Sequence, residues 1–314
     1  MQNEKISFVI PCYCSEKTLE AVIAEVEYTM ENEIKQDFEI ICVNDGSADD
    51  TWGVIRKLAD TKDYVIGVNF AKNFGQHAAI MAGLSNTSGD IIVCLDDDGQ
   101  TPANEVGKLL DAIRSGSDVV YARYSHKKHS MFRNMGSLMN EWMAKTMIGK
   151  PKDLYVSSYF AARRYVVDEM LKYKGSFPYV VGLVLRTTSN ISNVDVNHRK
   201  REVGASGYTL KKLLNLWVNG FTAFSIKPLR VATFGGGVFA FLGFIYGIYT
   251  IIKKIVLGSV VQVGFSALMS VLVFSSGMLM LMVGMVGEYI GRSYILLNSS
   301  PQYVIRDVVT KSDK

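Results

Sequence analysis

The chain has 314 residues, of which 48% are hydrophobic and 20% charged, and its formal net charge is +4. This apolar content excludes an intrinsically disordered chain, and so small a charge predicts no nucleic-acid partner. The four cysteines all lie in the first third of the chain: Cys12, Cys14, Cys42 and Cys94. That placement favours reduced thiols in a cytosolic domain over a disulfide framework or a metal site. The chain enters an apolar run directly at Ile6, so we expect no signal peptide.

The first 125 or so residues alternate short β-rich runs with segments of helical periodicity. Helices are predicted in segments such as Glu16–Tyr28 and Thr51–Leu58, and strands over Ile6–Pro11, Glu39–Asn44, Tyr64–Phe70, Asp90–Leu95 and Asp118–Tyr121. This alternation predicts an α/β fold with a Rossmann-like, mostly parallel sheet and helices on both faces. Ligands of such sheets bind beyond the carboxyl ends of the strands.

Polar residues follow three of the predicted strands. The first strand ends at Pro11 and is followed by Tyr13 and Glu16, the second ends at Asn44-Asp45, and the fourth ends at Asp96-Asp97-Asp98. Three adjacent carboxylates repel one another unless a cation neutralises them, and hard oxygen ligands favour Mg²⁺ or Mn²⁺. A solvated turn is the alternative for the acidic triplet. A dinucleotide dehydrogenase or a P-loop enzyme is disfavoured, because no glycine-rich fingerprint follows the first strand.

Two long uncharged stretches lie near the carboxyl end. Val231–Ile252 has 22 residues, about 33 Å as a helix, which matches a bilayer core. After Lys253-Lys254 a second stretch, Ile255–Gly287, leaves room for a turn near Gly258–Gln262. The pattern predicts a two-helix transmembrane hairpin, with a pair of buried core helices as the alternative. Two glycine pairs spaced at i and i+4, Gly243/Gly247 and Gly287/Gly291, permit close helix packing within the hairpin or between subunits of a homo-oligomer.

The segment before the first stretch has apolar residues at helical spacing, including Leu210, Trp217 and Phe221. It predicts an amphipathic helix in the membrane interface, and a helix packed on the cytosolic domain is the alternative. Basic residues flank the hairpin on the side of both termini, which predicts a cytoplasmic amino-terminal domain. The expected organisation is a catalytic domain over 1–207, an interfacial helix over 208–228, two transmembrane helices over 229–288 and a cytosolic tail over 289–314.

Several motifs carry a family resemblance that covers nearly the full chain. Ile6–Tyr13, Val43–Thr51, Asn73–Gly83 and Gly89–Pro102 resemble, in order and spacing, the family-2 inverting glycosyltransferases of GT-A fold. Arg201-x-x-Gly204-x-Ser206-x-Tyr208 and Gly287-Glu-Tyr-Ile-Gly-Arg292 are similar to the branch that loads sugars onto polyisoprenyl phosphates such as undecaprenyl and dolichyl phosphate. The resemblance implies a GT-A domain, a nucleotide-sugar donor, a lipid-phosphate acceptor and a divalent metal.

The resemblance also implies roles for individual residues. It assigns Asp98 to the metal, names Asp96, Asp98 and Gln100 as catalytic, and gives the nucleotide-sugar pocket to Pro11, Tyr13, Glu16, Asp45 and Asp96. Two departures stand out: Cys14-Ser15 replaces the usual Asn-Glu, and Val156–Arg164 has no carboxylate where some relatives carry one. A base from that segment is therefore not expected. A lipid phosphate, whose second pKa is about 6, needs none because it is already largely a dianion at neutral pH.

The acceptor phosphate requires cations close to the membrane. The candidate residues for binding the acceptor phosphate are Arg123, Arg133, Arg201 and Ser206. The three arginines supply the cations, since arginine makes charge-assisted contacts with phosphate. Attraction of these basic residues to anionic lipid head groups is the alternative. We interpret His126 and His129 as solvated surface residues.

Together these patterns predict a multi-pass protein of a bacterial plasma membrane that transfers one sugar, expected to come from a UDP-sugar, to undecaprenyl phosphate with inversion. The product would serve modification of cell-envelope glycans. Two other classes stay open: an inactive GT-A module acting as a membrane scaffold, and a processive polysaccharide synthase. The synthase is disfavoured, because the sequence lacks the Gln-x-x-Arg-Trp motif and further spans.

Overall fold

The computed structural model describes residues 4–124, 151, 153–197, 264–297 and 301–311, together with single positions between 234 and 256. The chain divides into two compact units. One comprises Met1–Leu210 together with Ser299–Lys314, and the other is Lys211–Asn298.

The first unit is built on an eight-stranded sheet. Its strands are β1 Ile6–Cys12, β2 Phe38–Asn44, β3 Val65–Phe70, β4 Ile91–Cys94, β5 Val119–Tyr124, β6 Phe160–Arg163, β7 Ile191–Val196 and β8 Ile305–Val309. The order across the sheet is β7-β5-β6-β4-β1-β2-β3-β8. β1 to β4 form one parallel block and β5 pairs in parallel with β7, whereas β6 and β8 run antiparallel to their neighbours. The predicted mostly parallel α/β sheet is confirmed.

Helices cover both faces of this sheet, as the strand–helix alternation predicts. The α-helices among the described residues of the first unit are α1 Leu19–Tyr28, α2 Thr51–Thr61, α3 Gln76–Ser85, α4 Val106–Arg114, α5 Arg164–Leu171 and α6 Val180–Thr187. Apolar residues of α1, α2 and α4 pack on one face, and those of α3, α5 and α6 pack on the other. Every residue of β1 is buried, which explains its nearly continuous apolar sequence, since a strand buried on both faces does not alternate.

The carboxyl-terminal segment forms an edge strand of the sheet, which the sequence analysis did not foresee. β8 pairs antiparallel with β3, with Val308 opposite Val68. The side-chain amide Nδ2 of Asn69 donates to Asp307 Oδ2 over 3.1 Å, and the backbone amide of Ala71 donates to the carbonyl of Val304 over 3.0 Å. Residues expected to form a tail therefore complete the first unit.

The described part of the second unit is helical. α7, Phe265–Leu297, is 33 residues long and continues past residue 288, where we placed the end of the second span. Its window Phe274–Gly291 has a mean hydropathy of 1.3, and it is the one candidate membrane span found among the described residues. Apolar side chains such as Leu279 and Met280 are 66% and 77% exposed. The predicted interfacial helix, 208–228, lies outside the described residues.

Candidate active site

Three neighbouring parallel strands end together at one edge of the sheet. β1 lies between β2 and β4, so Cys12, Asn44 and Cys94 mark adjacent strand ends. The amide of Asp45 donates to the carbonyl of Cys12 over 2.9 Å, which holds the first two loops side by side. Gly46, with a φ of +64°, lies so close to the following loop that a Cβ would come within 2.5 Å of the Asn73 nitrogen. This position accepts only glycine without local rearrangement.

The loop after β1 is held by the acidic triplet and by the loop after β2. The amide of Tyr13 donates to Asp97 Oδ2 over 3.0 Å, and the hydroxyl of Thr18 donates to the Asp97 carbonyl over 2.7 Å. Asp97 is the middle residue of the triplet, and no individual role was predicted for it from the sequence. These contacts show that it fixes the first loop. Pro11 is buried at the end of β1, whereas the ring of Tyr13 is 56% exposed beside it.

Glu16 joins the first loop to the loop that begins α2. Its carboxylate accepts from the amide of Asp50 over 3.0 Å, and its own amide donates to Asp49 Oδ2 over 3.2 Å. Cys14 adopts a φ of 54°, which is uncommon for a residue with a side chain, and its amide donates to Ser47 Oγ over 3.0 Å. The two loops predicted to line the nucleotide-sugar pocket therefore form one connected rim.

Asp45 holds a third loop, residues 71–75, against the same rim. Its Oδ1 accepts from the amide of Phe74 over 2.7 Å and its Oδ2 from the amide of Gly75 over 2.9 Å. Burial raises the pKa of the Asp45 carboxyl, and the two amide hydrogen bonds oppose that rise. Gly75 has a φ of +94° and borders open space. Asp45 thus organises the pocket wall in addition to the predicted role of contacting a nucleotide.

Asp96, the first carboxylate of the triplet, accepts hydrogen bonds from side chains of two other segments. Ser158 donates to its Oδ2, and Gln76 donates to its Oδ1 over 3.0 Å. Burial raises the pKa of the Asp96 carboxyl from 3.8 to about 6; the Ser158 hydrogen bond opposes this rise, and the neighbouring charges of Asp98 and Asp97 add to it. This edge of the sheet therefore holds more negative charge than the described groups around it compensate.

The residues at Asp98 fit a divalent cation that is shared with a substrate. Asp98 Oδ1 accepts from the amide of Gln100 over 3.0 Å, and Gly99, with a φ of +74°, borders open space. No group of three His, Cys, Asp or Glu side chains among the described residues forms a complete metal site. One carboxylate together with substrate phosphates is, however, an arrangement that Mg²⁺ commonly adopts. The donor set and the open space thus suit an ion that arrives with a nucleotide diphosphate.

The structure adds two residues to the site that sequence reasoning missed. Gln76 is the first residue of α3, inside the motif that carried the family resemblance, and Ser158 lies in the segment that lacks a carboxylate. Contact with Asp96 could not be foreseen for either residue, because it depends on how separate loops meet. His77 is partly buried beside Tyr179, with ring centroids 5.2 Å apart, and desolvation of its ring lowers its pKa to about 4. His77 is therefore neutral at physiological pH.

The predicted acceptor residues are placed only in part. The guanidinium of Arg123 makes a bidentate ion pair with Asp195 at 2.6 and 3.0 Å, joining β5 to β7. Arg133, Arg201 and Ser206 lie outside the described residues. Asn197, the last described residue before Arg201 and Ser206, donates through its side-chain amide to Glu105 Oε1 over 2.7 Å, so Glu105 fixes the point from which the chain continues toward Arg201.

Comparison with known proteins identifies the domains. Residues 7–171 match the Glycosyl transferase family 2 model, and residues 227–293 match the GtrB C-terminal hairpin. The chain is 32% identical, over 97% of its length and 94% of the relative, to the undecaprenyl-phosphate 4-deoxy-4-formamido-L-arabinose transferase of Proteus mirabilis. The corresponding protein of Yersinia enterocolitica is 33% identical over 98% of this chain and 94% of its own.

Solved structures support the same fold. Glucosyl-3-phosphoglycerate synthase from Mycobacterium tuberculosis, in complex with Mn²⁺ and UDP-glucose, superposes with a TM-score of 0.53 at 19% identity, covering 71% of this chain and 79% of that one. Its complex with Mn²⁺, UDP and glucosyl-3-phosphoglycerate gives a TM-score of 0.52 at 21% identity, covering 71% and 80%. The fold is GT-A-like, and the predicted family is confirmed: the chain belongs to glycosyl transferase family 2 and carries a GtrB-type C-terminal hairpin.

Proposed function

We propose that this protein transfers a single sugar from a nucleotide diphosphate sugar, expected to be a UDP-sugar, to undecaprenyl phosphate with inversion at the anomeric carbon. One observation carries the proposal: three loops of a family 2 domain converge on an acidic triplet in which burial and the neighbouring carboxylates raise the pKa of Asp96. Relatives of nearly equal length, about one third identical, bear the name of undecaprenyl-phosphate sugar transferases. The product would be a lipid-linked sugar for modification of the cell envelope.

The donor occupies the rim formed by the loops after β1, β2 and β3. The nucleoside lies against Pro11, Tyr13, Glu16 and Asp45, and the diphosphate extends toward Asp98. Support comes from the contacts that unite these loops and from the open space beside Gly75 and Gly99. Asp96, which Ser158 and Gln76 hold in place, is expected to lie nearer the nucleotide than Asp98.

A divalent cation, Mg²⁺ or Mn²⁺, would be held by Asp98 and the donor phosphates. When bound, it supplies positive charge that stabilises the departing nucleoside diphosphate. Gln100, whose amide is bonded to Asp98, keeps that carboxylate oriented. Asp96, with its raised pKa, would ionise more readily once positive charge is added nearby.

The transfer is a single displacement at the anomeric carbon. An oxygen of the acceptor phosphate forms a bond to this carbon while the bond to the β-phosphate oxygen of the nucleotide breaks, and the electron pair leaves with the nucleoside diphosphate. No proton has to be removed from an acceptor that is already a dianion at neutral pH. The segment beside Asp96 presents Ser158 rather than a carboxylate, which agrees with a reaction that needs no protein base.

Arg201, Ser206, Arg133 and Arg123 are proposed to receive the acceptor phosphate. Arg201 and Ser206 precede the hairpin and follow Asn197, which Glu105 fixes to the catalytic domain. Arg123 can take this role only by exchanging its bidentate pair with Asp195 for the phosphate.

We also propose that the chain crosses the membrane twice and that both termini face the cytoplasm. Strand β8 belongs to the same sheet as β1 to β7, and a folded sheet lies on one side of a bilayer. The segment 211–298 that connects them must then cross an even number of times. α7 is apolar enough for one crossing, and the hairpin family that covers 227–293 accounts for the other. Close packing of these helices in a homo-oligomer stays a prediction.

Reporter fusions test this topology. A fusion at Lys314 should report the cytoplasm and an insertion near Ser259 the opposite side. A carboxyl-terminal reporter on the outer side would contradict the even number of crossings.

The function is tested by incubating the purified full chain with undecaprenyl phosphate and a panel of radiolabelled UDP-, GDP-, CDP- and dTDP-sugars, with Mn²⁺ or Mg²⁺. The expected result is label in the lipid extract with one donor class and release of the matching nucleoside diphosphate. Reactions without undecaprenyl phosphate serve as the control. Absence of lipid-linked label with every donor would overturn the proposal and favour the scaffold alternative.

A further inference from the structure

The strand that follows the hairpin reaches the wall of the donor pocket through a continuous line of contacts. Tyr303, just before β8, stacks on Phe70 with ring centroids 5.3 Å apart and an interplanar angle of 9°. Phe70 in turn meets the ring of Phe74 edge-on at 5.6 Å. The amide of Phe74 donates to Asp45 Oδ1 over 2.7 Å. The line therefore runs from the carboxyl-terminal segment to a carboxylate of the pocket.

Backbone contacts reinforce the same connection. The amide of Ala71, where the loop after β3 begins, donates to the Val304 carbonyl over 3.0 Å. The pairing of β3 with β8 shifts register between Asn69 and Phe70, which lets Tyr303 lie over Phe70. The hydroxyl of Tyr303 lies 3.3 Å from that of Ser85, the last residue of α3. Tyr303 thus touches the end of β3 and the end of the helix that Gln76 begins.

We propose that Tyr303 is a positioning residue for the donor site, holding the loop 71–75 so that Phe74 and Gly75 stay bonded to Asp45. The proposal deepens the proposed function and rests on it, since it assigns to the post-hairpin strand the task of shaping the nucleotide pocket. Phe74 and Tyr303 pack against one apolar cluster that also contains Val68 and Ala78. Loss of the Tyr303 ring leaves Phe70 without its stacked partner and lets Phe74 move away from Asp45.

The experiment combines hydrogen exchange with kinetics on the full chain in detergent. Tyr303→Ala and Tyr303→Leu remove the stacking, and Tyr303→Phe keeps it while losing the hydroxyl contact. Val308→Ala, on the same strand but 44% exposed, is the matched control. Exchange is read at the Phe74 and Gly75 amides, with the amides of β4 as the reference for global stability.

The expected result is faster exchange at Phe74 and Gly75 in the Ala and Leu variants, with β4 unchanged. The KM for the donor sugar nucleotide should rise about three- to tenfold, in line with the usual strength of an aromatic pair. The KM for undecaprenyl phosphate should not change, and Tyr303→Phe and Val308→Ala should behave as wild type.

Three results would overturn the inference: wild-type exchange at Phe74 and Gly75 in both variants, faster exchange that extends equally to β4, or an unchanged donor KM despite faster exchange in the loop. Faster exchange confined to the loop, in a protein that transfers no sugar from any donor, would support the contact path and overturn the proposed function instead. The exchange measurement needs no substrate, so the two failures are distinguishable.

Discussion

Glu39 and Asp96 lie at opposite ends of the block of parallel strands, Glu39 near the start of β2 and Asp96 just after β4. The pKa of the Glu39 carboxyl is lowered by its surroundings, whereas that of Asp96 is raised. At the amino end, Glu39 accepts hydrogen bonds from Ser7 at 2.6 Å and from the amide and hydroxyl of Ser88, and it pairs with Lys5 at 2.7 Å. Burial would raise its pKa, but the hydrogen bonds from Lys5, Ser7 and Ser88 outweigh that effect and lower it. At the carboxyl end, burial raises the pKa of Asp96 to about 6.

The difference separates a structural carboxylate from a functional one. A buried charge that its own protein fully satisfies stabilises the fold, and breaking its network is costly. A partly buried charge left beside like charges, as at Asp96, lowers stability until a ligand compensates it. We therefore infer that the negative charge of the acidic triplet is compensated by a cation that binds together with the substrate.

The largest effect is expected for Asp98→Asn, which removes the proposed metal ligand. Transfer should fall about 100-fold or more, because a charge that stabilises the transition state is worth several kcal/mol. Thermal unfolding should be little changed. Asp111→Asn, at an exposed position of α4, is the matched control. Full activity of Asp98→Asn, or wild-type transfer that survives a chelator, would contradict the metal assignment.

At the opposite edge, Glu39→Gln should destabilise the fold by about 2–4 kcal/mol, since it breaks a buried ion pair and several hydrogen bonds. Specific activity of the folded fraction should stay at the wild-type level. Glu20→Gln, which breaks the exposed pair with Lys57, should cost less than about 1 kcal/mol. Denaturant unfolding measures both variants. Equal losses in the free energy of unfolding for Glu39→Gln and Glu20→Gln would mean that the Glu39 network stabilises the fold no more than an exposed ion pair does.

A smaller effect of opposite sign is expected for Asp96→Asn in metal-free protein. The rise of the pKa from 3.8 to about 6 corresponds to at most about 3 kcal/mol at neutral pH. The hydrogen bonds from Ser158 and Gln76 offset part of it, so we expect a gain of about 1–2 kcal/mol. Activity should nevertheless fall, because the site loses a charge that the reaction uses.

This gain should depend on pH in a defined direction. A carboxyl whose folded pKa is raised favours folding below its unfolded pKa, and that contribution disappears as pH rises through the folded pKa. The stability difference between Asp96→Asn and wild type should therefore grow from about pH 4 to about pH 6 and stay constant above. For Glu39, whose pKa is lowered, stability should instead be lost as pH falls below 4.5. A difference that shrinks with rising pH would show that Asp96 is not the destabilising group.

Local sequence patterns predicted the parallel core well, because buried strands and amphipathic helices leave a strong periodic signal. β1, β2 and β4 were placed with errors of one residue at most at either end. β8 was missed, because its short sequence carries no clear strand pattern and the strand forms by pairing with β3, more than 230 residues away in sequence. The acidic triplet was visible in the sequence, whereas the partners of Asp96 were not, because Gln76 and Ser158 come from separate loops.

The central claim is that a divalent cation and a nucleotide diphosphate bind together at the carboxyl edge of the sheet, beside the acidic triplet. Calorimetric titration of the full chain with UDP, with Mn²⁺ or with a chelator, tests it directly in wild type and Asp98→Asn. The account predicts that Mn²⁺ tightens UDP binding about 10-fold or more in wild type, within the usual range of coupling between two sites, and has little effect in Asp98→Asn. Equal affinity for UDP with Mn²⁺ and with chelator in wild type would contradict it.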